Sequence, residues 1–334
     1  MTITIKDVAR KAGVSVSTVS LVINNKPGVT DATRQKILKT IDELNYHPHH
    51  FARGLASKRK GNIGFILTTY HFSRAEPFYT RIFLGSELEA RNHNYYILLT
   101  TVESKFSRKD IPRFLLEKNI DGVILAGKIP AGLIDYLNRF DLPVIYIDYV
   151  PPKGKSLAIL MDNVDGAIQA VTHLNEKGHK KIAFIGGDIS HPSIGARLEG
   201  YKSALKKNRI PVSENLIFTS ASDTTTQSGY EMTCHLLEQK TPFTAIFAAN
   251  DAMAFGCMKC LREKHIRIPD QVALVGFDDV EIASQMEPKL TTVRVNKEDM
   301  GALAVKTMVD IIHSERMLQG KFLVPVELVV REST

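Results

Sequence analysis

The sequence predicts an all-α head joined to a larger α/β body. Residues 1–60 carry the whole formal net charge of +7 that the 334-residue chain has, and the remaining residues are balanced. From residue 63 onward, short apolar runs alternate with helix-like stretches, a pattern that favours parallel sheets covered by helices. A basic end on a neutral body indicates a head that binds a polyanion, although a solvated basic arm would carry the same charge.

The sequence also lacks features of several protein classes. It begins without a basic segment followed by a long apolar run, so we expect no secretory signal. The sequence has no uninterrupted run of ~18 apolar residues, so we expect no membrane span. Its 3 cysteines fit a reducing cytoplasm. Cys257 and Cys260 share one face of an expected apolar helix, so we interpret them as packing residues and predict neither a metal nor a cofactor.

Residues 4–45 predict three helices whose ends carry capping residues. Thr4 is the expected N-cap of the first helix, with Asp7 three positions later in a capping-box arrangement. Gly13 can adopt the left-handed conformation that ends a helix, and Ser15 and Thr30 are the expected caps of the next two helices. The apolar positions expected to form the core of the head are Val8, Ala9, Ala12, Val19, Val22, Ile23, Ile37, Leu38, Ile41 and Leu44.

A helix, a very short turn and a second helix form the arrangement of helix-turn-helix domains that bind DNA. The second helix offers Val16, Ser17, Ser20 and Leu21 on the face opposite its apolar stripe. Val16, Ser17 and Leu21 could touch base edges, but none can read a base through two hydrogen bonds, as Arg or Asn does. A small three-helix domain with no DNA-binding role is the alternative.

Short motifs in the head and in the segment after it resemble the DNA-binding head and hinge of the lactose-repressor/galactose-repressor (LacI/GalR) family. They are Thr4-Ile5-Lys6-Asp7-Val8-Ala9, Ala12-Gly13-Val14-Ser15, Thr18-Val19-Ser20, Val22-Ile23-Asn24, Leu44-Asn45-Tyr46-x-Pro48 and Ala52-Arg53-Gly54-Leu55-Ala56. The resemblance continues through the rest of the chain. It implies a pseudo-palindromic operator in double-stranded DNA as partner. The DNA-binding residues it implies are Thr4, Ser15, Val16, Ser17, Thr18, Ser20, Leu21, Asn24, Ala52, Arg53, Leu55 and Ala56.

Residues 48–60 form a short basic linker between an expected head of residues 1–47 and an expected body of residues 61–334. A helix of this length is marginal in isolation, and Gly54 weakens it further, so we expect it to be helical only when docked. The resemblance implies that two hinge helices, one from each protomer, enter the minor groove, where Leu55 wedges between base steps. A flexible linker with a replaceable Leu55 is the alternative.

The apolar runs of the body predict strands at residues 63–69, 95–100, 122–127, 143–148, 181–187, 245–250 and 272–278. These are too many for one sheet, so we expect two lobes with doubly wound parallel sheets. Ligands bind such folds at the carboxyl ends of strands. The polar residues at or just after these ends are Asp148, Asn250, Asp251, Asp278 and Asp279, and Arg197 lies near the start of the helix expected after residues 181–187. Helix caps and salt bridges could explain each of them singly, whereas together they could hydrogen-bond a sugar.

For the body, the resemblance implies a two-lobed periplasmic-binding-protein-like fold that the chain crosses three times. The expected N-lobe is residues 61–160 and 292–322, and the expected C-lobe is residues 161–291 and 323–334. The implied effector-binding residues are Phe78, Tyr79, Asp148, Ser193, Arg197, Asn250 and Asp251, whereas Asp278 is expected to be structural. The chain lacks a counterpart of the lactose repressor's tetramerising tail, which indicates a homodimer.

These features predict a sequence-specific DNA-binding transcriptional regulator, expected to be a repressor controlled by a sugar or sugar derivative bound between the lobes. A catabolite-control-type regulator with a phosphoprotein corepressor is one alternative. A solute-binding protein is another, which the basic head disfavours. An enzyme is not expected, because the sequence has no Gly-x-Gly-x-x-Gly, phosphate-binding-loop or nucleophile-elbow motif.

Overall fold

The structure, a computed structural model, describes residues 3–23, 26–46, 59–73, 77–151, 157–316 and 318–334. The chain divides into two units, a head that extends to Gly61 and a body from Asn62 to Thr334. The predicted combination of a helical head with an α/β body is confirmed. Within the described residues, no helix is both long enough and apolar enough to cross a membrane.

The described helices of the head are α1 (Ile5–Ala12), α2 (Val16–Ile23) and α3 (Asp31–Glu43). As predicted, α1 ends at Gly13, whose φ of +68° is left-handed. The buried core of the head consists of Val8, Ala9, Ala12, Val19, Val22, Ile37 and Tyr46. Leu38 was expected in this core but is 46% exposed. It lies one position beyond the stripe formed by Ile37, Ile41 and Leu44, and one residue is about 100° around a helix.

The body consists of strands and helices that alternate for most of its length. Its strands are β1 (Asn62–Thr68), β2 (Tyr96–Val102), β3 (Gly122–Ala126), β4 (Val144–Ile147), β5 (Leu157–Met161), β6 (Ile182–Ile185), β7 (Ile217–Phe218), β8 (Ala245–Ala248), β9 (Ala273–Asp278), β10 (Thr291–Val295), β11 (Gly320–Val324) and β12 (Val326–Val329). Its α-helices are α4 (Thr69–Phe72), α5 (Phe78–Asn92), α6 (Arg113–Leu116), α7 (Ala131–Leu137), α8 (Asn163–Glu176), α9 (Pro192–Lys207), α10 (Thr226–Glu238), α11 (Asp251–Glu263) and α12 (Lys297–Ser314). Short 3-10 helices lie at Arg108–Asp110, Glu214–Leu216 and Glu281–Ser284.

The strands form one sheet in each lobe. In the described residues, the N-lobe sheet has the order β2-β1-β3-β4-β5-β11 and is parallel throughout. The C-lobe sheet has the order β7-β6-β8-β9-β10-β12, in which β12 runs antiparallel to β10. In each sheet, the first strand of the chain lies between the second and the third, so the strand order changes direction there. Doubly wound folds share this feature, and they bind ligands at the carboxyl ends of the strands near that point.

The chain passes between the lobes after β5, after β10 and after β11. We expected the return to the N-lobe at residue 292, but β10 pairs with β9 through a register that matches Thr291 with Val275. This strand therefore belongs to the C-lobe, and the crossing follows Val295. Most side chains of β10 are buried. The sequence pattern did not separate this strand from the helix that follows it, so the expected crossing came too early.

The sheet of the N-lobe is apolar on both faces because helices cover both. Along β3, Val123 and Leu125 join the cluster that contains Leu133 of α7. The alternate residues Ile124 and Ala126 join the main core, which contains Ile82 of α5 among other helix residues. Neighbouring strand residues point to opposite faces, so the continuous apolar runs of the sequence correspond to strands buried on both sides.

Candidate functional site

The head presents the N-terminal turn of α2 on its surface. Val16 is 41% exposed, Ser17 is also exposed, and Leu21 is half-buried, whereas Val19 on the opposite face is fully buried. The Ser15 hydroxyl accepts a hydrogen bond of 3.1 Å from the Thr18 backbone N–H. This bond caps the helix, so the capping residues hold the exposed face in position.

The capping box at the start of α1 has the predicted form. The Asp7 carboxylate accepts hydrogen bonds from the Thr4 backbone N–H at 3.0 Å and from the Thr4 hydroxyl at 2.6 Å. These bonds hold the pKa of Asp7 below its ordinary value. Thr4 therefore serves as the N-cap in this structure. Five of the expected DNA-binding residues lie outside the described residues: Asn24, Ala52, Arg53, Leu55 and Ala56.

A cavity of about 850 Å³ lies between the two lobes of the body. Loops after β1, β3 and β4 line it from the N-lobe, and loops after β6, β7, β8 and β9 line it from the C-lobe. Its volume falls within the ~300–1,000 Å³ range of small-molecule sites. Of the expected effector-binding residues, it is lined by Phe78, Tyr79, Asp148, Ser193, Arg197 and Asn250.

Aromatic rings form part of the wall in the N-lobe. Tyr79 lies 5.0 Å from Phe78 and 4.5 Å from His71, measured between ring centroids. His71 also packs against Gly127, where a side-chain Cβ would come within 2.6 Å of the imidazole. Gly127 also has a left-handed φ of +74°. A larger residue here would therefore be strained in its backbone and would collide with the imidazole.

The carboxylate of Asp148 connects the two lobes. It follows β4, has a left-handed φ of +56° and is only 5% exposed. It accepts a 2.7 Å hydrogen bond from the Tyr79 hydroxyl on its own lobe and a short one from the Ser193 hydroxyl at the start of α9. The structure thus brings together three of the expected site residues from separate parts of the chain.

Arg197 lies on the floor of the cavity in the C-lobe and is 4% exposed. Its Nη2 lies 3.3 Å from Asp278 Oδ1, and its Nε donates to Asn163 Oδ1 at 2.8 Å. The guanidinium carbon sits 3.7 Å from the centroid of the Phe277 ring. A buried guanidinium requires such partners, and they fix its position with one side towards the cavity.

Asn250 and Asp251 follow β8 together but have different surroundings. The side chain of Asn250 caps α11 by accepting from the Met253 N–H at 2.9 Å, and it donates to the Thr224 carbonyl at 3.1 Å. Asp251 is fully buried and does not line the cavity. Its carboxylate accepts from the Val280 N–H at 2.9 Å and from the Thr292 hydroxyl.

Asp251 and Asp278 therefore lie differently from what the sequence predicted: Asp278 lines the cavity and Asp251 does not. Asp251 lies in the first turn of a helix that points it into the lobe, where it ties that helix to the loop after β9 and to β10. Burial, together with the nearby Asp278 carboxylate, raises the pKa of Asp251 to about 8. Asp278, expected to be structural, lines the cavity and pairs with Arg197.

The cavity is also lined by residues that the sequence pattern did not single out, among them His71, Lys128 and Asp188. Each comes shortly after a strand of the parallel sheets, so the strand-end rule could have found them. Lys128 Nζ lies 3.9 Å from an oxygen of Asp188 in the other lobe. Hydrogen bonds from Ser190 hold the pKa of Asp188 below its ordinary value, which keeps that carboxylate charged opposite Lys128.

Two family models match the chain. Residues 4–49 match the model described as bacterial regulatory proteins of the lacI family, and residues 171–334 match a periplasmic binding protein-like domain. The first covers the helices of the head. The second covers most of the C-lobe and the second and third crossings.

Full-length relatives match both units together. Catabolite control protein A from Priestia megaterium is 32% identical over 337 residues, which cover 100% of both chains. A solved complex of the transcriptional regulator CelR with cellobiose is 30% identical and covers 99% of this chain and 100% of that one, with a TM-score of 0.77. A lac repressor dimer bound to operator and the anti-inducer ONPF is 27% identical and covers 100% and 99%, with a TM-score of 0.82. The chain belongs to the LacI family of bacterial regulatory proteins, and it is a DNA-binding transcriptional regulator.

Proposed function

We propose that the protein is a homodimeric repressor whose operator affinity is controlled by a neutral carbohydrate bound between the lobes of the body. The observation that carries the proposal is the cavity, in which Asp148, Ser193 and Arg197 converge beside an aromatic wall. Carboxylates, a hydroxyl and a guanidinium can all hydrogen-bond sugar hydroxyls. The faces of Phe78, Tyr79 and His71 suit the apolar face of a sugar ring.

The charge of the cavity favours a neutral sugar over a sugar phosphate. Among its described lining residues, the carboxylates outnumber the Lys and Arg side chains. The carboxylates belong to Asp135, Asp148, Asp188, Asp223 and Asp278, and the cations to Lys128 and Arg197. Both cations already face carboxylates. A phosphate would therefore have to displace these ion pairs and approach several like charges.

In the head, we propose that the exposed Val16, Ser17 and Leu21 contact base edges, with Thr4, Ser15, Thr18 and Ser20 beside them. The remaining proposed DNA contacts are Asn24, Ala52, Arg53, Leu55 and Ala56, with Leu55 as the wedge in the minor groove. Phosphate contacts would supply most of the affinity, since the net positive charge of the chain lies in residues 1–60. We also propose that the protein works in the cytoplasm, where bacterial DNA lies, and that it has no catalytic activity.

Effector and operator would be linked through the two lobes. A ligand shifts an equilibrium between lobe orientations only by its different affinity for each. Because Asp148 and Ser193 belong to different lobes, a sugar hydroxyl that replaces one of them as hydrogen-bond partner would change which orientation is favoured. The two hinge segments of a dimer would then be held at a different spacing, and the operator would be released.

The proposal is tested by a thermal-shift screen of the full-length protein against neutral mono- and disaccharides and their phosphates. Each ligand that raises the melting temperature is then added to an operator-binding titration followed by fluorescence anisotropy. We expect a neutral sugar to stabilise the protein and to weaken operator binding at least tenfold. Stabilisation by sugar phosphates alone would overturn the assignment of ligand class.

A corepressor protein is the second candidate, since catabolite control protein A is among the full-length relatives. This alternative predicts that no sugar changes operator binding and that a phosphorylated protein strengthens it.

Removing residues 1–61 tests whether the head binds the operator and the body binds the sugar. The truncated body should lose operator binding and retain the sugar-induced thermal shift. Specific operator binding by the truncated body would contradict the role proposed for the head.

A further inference from the structure

Two cysteine side chains meet between α10 and α11. The Sγ atoms of Cys234 and Cys260 lie 2.7 Å apart. Cys257 lies three residues before Cys260 on the same helix, α11. The Cys257 thiol instead lies 4.0 Å from the Gly229 carbonyl oxygen and is fully buried. The two thiols that meet therefore lie on different helices.

Glycines explain why these helices come close enough for the thiols to meet. A Cβ added at Gly229 would collide with the backbone of Met253, and one added at Gly256 would collide with the backbone of Thr226. The two helices are thus in backbone contact about one turn before the cysteines. Disulfides need Cα atoms within about 7 Å, and helices packed through glycine approach each other more closely than the usual 8–10 Å between axes.

The two thiols differ in their access to solvent. Cys234 is half-buried and is the more exposed of the two residues, whereas Cys260 is fully buried. Burial raises the pKa of Cys260 to about 12, which keeps this thiol protonated and a poor first nucleophile. An oxidant would therefore react first at Cys234, and Cys260 would be the thiol that completes the bond.

We propose that Cys234 and Cys260 are a redox modification site that forms an intramolecular disulfide when the protein is exposed to a peroxide. In the first step, the Cys234 thiolate attacks one peroxide oxygen, the O–O bond breaks, and one proton is taken up to give a sulfenic acid and water. In the second step, the Cys260 sulfur attacks the Cys234 sulfur, its proton leaves with the hydroxyl as a second water, and the S–S bond forms. Two thiols are oxidised, and one peroxide is reduced to two waters.

The bond would connect helices whose first turns adjoin the cavity. Asn250, which caps α11, donates to Thr224 just before α10, and both residues line the cavity. Cys234 lies eight residues into α10 from Thr226, about 12 Å along the helix. The modification thus falls within the packed layer that supports one wall of the cavity.

Trypsin separates the three cysteines, which makes the test direct. Cleavage after Arg209, Lys240, Lys259 and Arg262 places Cys234 in residues 210–240, Cys257 in residues 241–259 and Cys260 in residues 260–262. The full-length protein is treated with hydrogen peroxide, freed of the oxidant, blocked with iodoacetamide under denaturing conditions, digested and analysed by mass spectrometry without reduction. We expect residues 210–240 to be linked to residues 260–262, with Cys257 alkylated, and the link to disappear after dithiothreitol.

A link that includes Cys257, a link between two chains, or oxidation without any link would overturn the proposal. Free-thiol titration under denaturing conditions gives a second measurement, in which the wild type should fall from three thiols to one. Cys234→Ser should retain both of its thiols, whereas the matched control Cys257→Ser should lose both. The peptide map of the wild type decides the matter even if one of these variants folds poorly.

Discussion

The Ser193 hydroxyl of the C-lobe donates a hydrogen bond to the Asp148 carboxylate of the N-lobe, across the cavity between them. The same carboxylate accepts from Tyr79 of its own lobe at 2.7 Å. The two oxygens of this carboxylate thus serve different lobes, Oδ1 accepting from Ser193 and Oδ2 from Tyr79, so the group is well placed to respond to a ligand hydroxyl. We therefore expect the negative charge at residue 148 to contribute to sugar binding.

Asp148→Asn should weaken binding of the sugar found in the screen by about 10- to 100-fold. The substitution keeps the shape of the side chain but removes the charge, and hydrogen bonds to charged groups contribute about 1.5–3 kcal/mol. Isothermal titration calorimetry measures the change. The matched control is Asp141→Asn, which is exposed and does not line the cavity. Equal losses in both variants would contradict a role for Asp148 in binding.

Gly127→Ala should reduce sugar affinity and destabilise the body, because the new Cβ would push against the His71 imidazole. Gly178→Ala is the matched control, since it too has a positive φ, of +96°, but has open space around its Cα. The control should lose only the backbone contribution of about 1 kcal/mol. Urea denaturation and calorimetry of both variants separate backbone strain from the collision. Unchanged sugar affinity in Gly127→Ala would mean that His71 does not contribute to the site.

Asp251→Asn should change how stability depends on pH. The pKa of Asp251 is raised from 3.8 to about 8 in the folded protein, so between these values the folded state holds a proton that the unfolded state releases. The free energy of unfolding therefore falls as the pH rises, by up to about 1.4 kcal/mol per pH unit from this group. Asparagine can still accept from the Val280 N–H and can donate to the Thr292 hydroxyl, the two present partners.

Urea denaturation at intervals between pH 5 and pH 8 measures this contribution. Asp251→Asn should gain stability relative to the wild type as the pH rises, whereas the exposed control Asp141→Asn should run parallel to it. A constant difference between Asp251→Asn and the wild type over the whole range would show that the carboxyl does not titrate there.

Salt should affect the two activities of the protein differently. Phosphate contacts release counterions, so the logarithm of operator affinity should fall steeply and linearly with the logarithm of salt concentration. Sugar binding should change little, because the proposed contacts involve a neutral ligand inside a cavity. Anisotropy and calorimetry between about 50 and 200 mM salt test both. A sugar affinity that falls as steeply as operator affinity would indicate an anionic effector and contradict the neutral-sugar proposal.

The predicted strands of both lobes correspond to β1, β2, β3, β4, β6, β8 and β9. Except for the edge strand β2, whose residues are mostly half-buried, these are interior strands with continuous apolar runs, and burial on both faces produces that pattern. The predicted strands did not include β5, β7, β10, β11 and β12. In β11, Phe322 and Leu323 are exposed, so its pattern resembles a surface loop. It joins the N-lobe by pairing with β5, more than 150 residues earlier, and no local signal encodes such a partner.

The sequence predicted where the cavity lies but not all of the residues that line it. Strand ends located Asp148 and Asn250, because the carboxyl ends of parallel strands meet at one edge. The same rule could not choose between Asp251 and Asp278, since both follow strands. The choice depends on orientation: Asp278 has a φ of +113° and turns towards Arg197, whereas the first turn of α11 directs Asp251 inwards. Such orientation emerges only from tertiary packing.

The three crossings between the lobes have a consequence for synthesis on the ribosome. The N-lobe receives its edge strand only at residues 320–324, and the C-lobe receives its own at residues 326–329, after the other described strands of both sheets. Until then, the edges of β5 and β10 lack their final neighbours, and open edges can pair with other chains. A nascent chain that stops before residue 320 would leave both sheets incomplete and both of these edges open to pairing with other chains.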